Sequence, residues 1–100
     1  RREPLNNSPD LPDFMTENSD GSMKVDLVRG IEVDGNKRMA LTLREPAVSD
    51  MLAAKAGGKD AASSEVTLIA NLAEVPPEAI QSAKMRDYSR LQEALGFLNG

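Results

Sequence analysis

One hundred residues with a formal net charge of −4, no cysteine and no histidine bound this chain to one small domain without a disulfide framework. The missing histidine removes the commonest metal ligand and the one side chain that titrates near neutrality without a shifted pKa. No apolar run is long enough to cross a bilayer and the start lacks the succession of a signal peptide, so a cytosolic protein, neither membrane-bound nor secreted, is expected.

Residues 1–22 carry Arg1 and Arg2 against Glu3, Asp10, Asp13, Glu17 and Asp20, a balance of −3, which leaves −1 for residues 23–100. Pro4, Pro9 and Pro12 interrupt any helix in this head, and Asn6-Asn7-Ser8 and Asn18-Ser19-Asp20-Gly21-Ser22 have the composition of turns and linkers. Residues 1–22 therefore read as a disordered segment ahead of a single domain over residues 23–100. The chain does not open on methionine, and Met15 and Met23 both read as natural starts.

The domain opens on alternation. Val25, Leu27, Ile31 and Val33 share one face of a strand over residues 24–33, with Asp26 and Glu32 opposite; Arg29 breaks the apolar face and Gly30 marks a bulge or a weak centre. Asp34-Gly35-Asn36 is a strong turn signal, and Met39, Leu41 and Leu43 then alternate with Arg38, Ala40, Thr42 and Arg44. The reading is a β-hairpin with one apolar face.

Helices follow. Pro46 ends the second strand, Ala47 or Ser49 stands at the cap, and Asp50 suits the first turn. Val48, Met51, Leu52 and Ala56 make that helix's apolar face, and Gly57-Gly58 stops it. Asp60 or Ser63 opens a second helix, where Val66, Ile69, Ala70 and Ala73 share a face that Leu68 and Leu72 widen. An arc of roughly 200° exceeds the stripe of a surface helix, so this helix is expected to be sandwiched between the hairpin and another helix or chain. Val75-Pro76-Pro77-Glu78 breaks the chain before a short helical piece holding Ala79, Ile80 and Ala83. Asp87 is placed to cap a last helix whose apolar stripe is Tyr88, Leu91, Ala94, Leu95 and Leu98, with Phe97 off the stripe. The fold class is α+β: an N-terminal β-hairpin followed by three to four short α-helices.

No constellation of reactive residues emerges. Asp60 and Glu65 have no partner acid or base, and Gly57-Gly58-Lys59-Asp60 lacks the leading glycine and preceding strand of a phosphate loop. Ser49 and Ser89 have no histidine to activate them, and the aspartates of residues 10–34 miss calcium-loop spacing. Lys37-Arg38 is a solvated face in a chain with no basic surface for nucleic acid. The expectation is a non-enzymatic protein with no cofactor and no metal.

In order along the chain stand Leu43-Arg44-Glu45-Pro46, Asp50-Met51-Leu52, Leu68-Ile69-Ala70, Val75-Pro76, Asp87-Tyr88, Leu91-Gln92 and Phe97-Leu98. Over residues 24–98 this succession resembles the tail assembly chaperones of Mu-like and related contractile-tailed phages. The motifs are structural, so order and spacing carry the likeness. It implies a phage or prophage assembly factor that binds and solubilises the tape-measure protein during tail morphogenesis. Tail tube subunits are a further implied partner, and self-association is compatible with so small a core. It also implies the host bacterial cytoplasm, absence from the mature virion, and a longer form made by translational frameshift. The expected contact surface is a groove formed or bordered by Val66, Ile69, Ala73, Tyr88, Leu91, Leu95 and Phe97, in which an amphipathic tape-measure helix would lie. Two other readings remain: a small structural tail subunit, and a regulatory, antitoxin-like module whose acidic head folds on a basic target.

Overall fold

The computed structural model describes residues 11–58 and 60–100. Among them three strands, β1 (Met15–Glu17), β2 (Met23–Val33) and β3 (Asn36–Leu43), precede four helices, α1 (Val48–Lys55), α2 (Ala61–Ala73), α3 (Pro77–Gln81) and α4 (Met85–Leu98). The class is the expected α+β with an N-terminal hairpin. The sheet is antiparallel in the order β1-β2-β3, so the hairpin carries one more strand than its alternation announces.

That strand lies in the head expected to be disordered; its first ten residues fall outside the described ones. Met15 pairs with Val25 and Glu17 with Met23, while the Asp26 amide donates to the Phe14 carbonyl at 2.8 Å. Met15 is buried, and the Phe14 ring lies 4.3 Å from the guanidinium of Arg90, which donates to the Asp26 carbonyl. The polar run after β1 is a closed turn, not a linker. The Asn18 amide donates to the Ser22 carbonyl, and Asp20 Oδ1 accepts from the amide and hydroxyl of Ser22. Two apolar residues on an edge suffice to dock a segment whose composition alone looks unstructured.

β2 and β3 meet through Asp34-Gly35, both at positive φ, the conformation a two-residue hairpin loop needs. The ladder then slips. Asp26 faces Ala40 and Ile31 faces Arg38, so four residues of β2 stand against Met39. This is the bulge that Gly30 announces, with φ at +82. Met39, expected on the buried face with Leu41 and Leu43, is half exposed because it lies opposite the bulge. Its sulfur sits 2.6 Å from where a Gly30 side chain would begin.

The core lies between the sheet and the helices. Val25, Leu27, Ile31, Val33, Leu41 and Leu43 face Ile69, Leu72, Ile80, Leu91 and Leu95. α4 packs on β2, and α2 packs on β3, α1 and α3, which is the sandwiched position its wide apolar arc requires. Asp60 caps α2 by accepting from the Ser63 amide at 2.7 Å. Glu74 closes that helix in the left-handed conformation, and Pro77 opens α3 in its first turn.

Asp87 does not cap α4. Lys84 holds the cap position, and the Asp87 side chain turns inward to 0% exposure. Its Oδ1 accepts from the Val28 amide at 2.6 Å, and its Oδ2 from Arg29 and Gly30, both at 2.9 Å. The bulge frees three N–H groups from the ladder, and one carboxylate in the first turn of α4 satisfies them all.

Candidate partner-binding surface

Spacing gives α1 an apolar face but no direction for it. Arg44, just past β3, donates from Nη1 and Nη2 to the two oxygens of Asp50 at 2.9 and 2.8 Å. Asp50 also reaches back to the Ala47 amide at 2.8 Å. This fork fixes the rotation of the helix. Asp50 and Ala54, one turn apart, face inward. Three residues of its apolar face therefore point outward: Val48 is 72% exposed, Leu52 62% and Met51 45%. A pairing between polar groups outweighs the burial of three apolar side chains because α1 leans mainly on α2 and has no second layer over it.

The fork also sets a pH dependence. The Arg44 guanidinium, then the Ala47 amide, lower the Asp50 carboxyl from 3.8 to about 2. A carboxyl whose folded pKa is depressed stabilises the fold above its unfolded value and loses that contribution as pH falls through the folded one. The gap in urea midpoint between the parent chain and Asp50→Ala is expected to be full above about pH 5 and to close towards about pH 2. A gap that holds constant over that range refutes the role given to the pair.

Beside the exposed face of α1 runs a groove of about 440 Å³, lined by Met51, Ala54 and Lys55 of α1, Ala61, Ser64, Glu65 and Leu68 of α2, and Leu95 of α4. Glu65 stands in it as the acceptor of a small network. The Tyr88 hydroxyl donates to its Oε1 at 2.6 Å and Gln92 Nε2 at 2.8 Å. Burial, then the bond to Glu65, raise the Tyr88 phenol above its ordinary range, so it remains a donor.

The seven residues expected at a groove separate. Leu95 lines this one and Tyr88 borders it through Glu65. Val66 lines a separate hollow with Pro77 and Gln81, and Ala73 lines a polar one with Arg38 and Arg44. Phe97, 39% exposed, stands over a shallow hollow with Glu93 and Gly96. Ile69 and Leu91 have no exposed surface at all, so as folded they offer a partner nothing directly. Val48, Met51, Leu52, Ala54 and Leu68 are the residues that sequence reasoning left out. Val48, Met51 and Leu52 belong to the helical face that spacing shows, and spacing carries no direction.

Among the described residues, no group of three or more histidine, cysteine, aspartate or glutamate side chains is placed to hold a metal ion, and no helix is long and apolar enough to cross a membrane. What the fold offers is an α+β domain with one uncovered apolar helix face beside a groove. Residues 24–100 match the family of phage tail assembly chaperone proteins, E, or 41 or 14, and the chain belongs to that family. No curated protein and no solved structure gives a match.

Proposed function

We propose that this chain acts in tail assembly by binding the tape-measure protein, keeping its apolar helical segments covered until the tail tube encloses them. The family supports the assembly role. The observation that supports the finer reading is the outward apolar face of α1, Val48, Met51 and Leu52, continuous with the groove at Met51. An amphipathic helix laid along it would bury both apolar surfaces. Leu95 stands across the groove from α1 and Tyr88 borders it through Glu65, while Phe97 stands over a separate hollow and Ile69 and Leu91 lie in the core. Such a task needs surface and no reactive group, and it belongs in the host cytoplasm before the particle is complete.

The test is co-expression with the tape-measure protein of the same phage, with affinity recovery of the tagged chain. Leu52→Glu is expected to cut the tape-measure protein recovered on the order of tenfold while far-ultraviolet circular dichroism is unchanged, since Leu52 is already solvated. Phe97→Ala is expected to weaken recovery less. Undiminished recovery with Leu52→Glu removes the α1 face from the site.

A further inference from the structure

The groove is not uniformly apolar, and its polar groups are unevenly satisfied. Oε1 of Glu65 accepts from both Tyr88 and Gln92, which hold the carboxylate in place on α2. The other oxygen, Oε2, has no partner among the described residues, and neither has the ammonium of Lys55 on the α1 wall. A fixed, half-used carboxylate within an apolar groove is costly to cover with an apolar side chain and favourable to cover with a cation.

Resting on the tape-measure reading above, we infer that the groove is built for an amphipathic helix of another protein carrying an arginine or lysine within its apolar stripe, and that Glu65 receives that cation and sets the helix's register. Tyr88 and Gln92 are positioning residues for Glu65. Lys55, at the C-terminal turn of α1, favours an acidic residue elsewhere on the same helix, which gives the bound segment a direction. A second copy of this chain offers such a helix only in its own α1, eight residues or about 12 Å long, with Lys55 on the face of Met51 and Leu52. Its α1 face is itself a wall of the groove, and its remaining exposed large apolar side chains, Val28, Met39, Met85 and Phe97, are scattered over three elements.

The probes are two designed amphipathic peptides of about 20 residues, long enough to overlie the groove, identical except for one central stripe position that is arginine in one and glutamate in the other. Binding to the full chain is read by fluorescence anisotropy. The arginine peptide is expected to bind about tenfold tighter at low salt, with the gap narrowing as salt rises. Glu65→Gln keeps an oxygen for Tyr88 and is expected to bring the two peptides within about twofold of each other. Equal affinities in the parent chain, a gap that survives Glu65→Gln, or binding of neither peptide overturns the inference. In each of those cases the tape-measure reading stands if recovery of the tape-measure protein still depends on Leu52, and falls separately if it does not. A self-associated chain that Leu52→Glu converts to monomer assigns the groove to a second copy and overturns it as well.

Discussion

Replacing Asp87 by alanine is expected to cost about 3 kcal/mol of folding stability, a large share of the roughly 5–15 kcal/mol available to a chain of this length. Three amides lose their acceptor at once. Each hydrogen bond to a charged group contributes about 1.5–3 kcal/mol. The loss is smaller than their sum because Val28 and Arg29 are exposed, and water reaches part of the bulge once the side chain is gone. The thermal midpoint should fall by about 10–20 °C. Hydrogen exchange gives the sharper readout: the amides of Val28, Arg29 and Gly30 should lose protection before the rest of β2. A variant within about 0.5 kcal/mol of the parent would show that Asp87 does not hold the bulge to α4.

The same bulge has a second dependence. A methyl group at Gly30 would stand 2.6 Å from Met39 Sδ and 2.7 Å from the Arg38 carbonyl oxygen, at a φ of +82. The sulfur can swing aside and the carbonyl cannot, so Gly30→Ala forces the backbone away from Asp87. The two changes therefore act on one contact, and the double variant should lose clearly less than the sum of the single losses.

The second large effect concerns Ile69. Its side chain has no exposed surface and packs between the sheet and the helices, so Ile69→Ala should cost about 2–5 kcal/mol through lost burial and the cavity left behind. Leu52→Glu should leave the urea midpoint almost unchanged, because an exposed position lacks a named mechanism for a large loss. The contrast separates two ways of losing a partner. Ile69→Ala weakens recovery by depleting the folded chain, so the deficit should shrink at lower temperature or with excess protein. Leu52→Glu removes the contact itself, and its deficit should survive both. If Ile69→Ala leaves stability intact, α2 is not seated as described.

The proposed partner depends on α1 being marginally covered. Its outward face makes the domain less stable alone than one that buried Val48, Met51 and Leu52, and the same exposure makes them available. A small core has little stability to spare, so the Arg44–Asp50 fork and the Asp87 anchor replace apolar contacts that a chain with three aromatic residues cannot supply. Both devices use a carboxylate from the first turn of a helix to reach back to a strand or a loop.

Local pattern by itself determined much of this protein. Alternation between Val25 and Leu43 set the hairpin, Asp34-Gly35 its turn and Gly30 its bulge, while Asp60, Pro77 and the wide arc from Val66 to Ala73 placed α2 and α3. Each is a property of a few neighbouring residues, governed by backbone sterics and by periods of two or 3.6. Only tertiary structure decided which way α1 turns, because a helical face is legible from spacing but its direction depends on what stands opposite. Here that is Arg44, six residues away, bound to Asp50. Tertiary structure likewise recruited β1 from a segment of linker composition, since edge pairing exists only when β2 is there to receive it, and sent Asp87 across 59 residues to the amides of β2. The groove was unreadable for the same reason: its walls come from three helices, and no spacing along one chain segment encodes the distance between them.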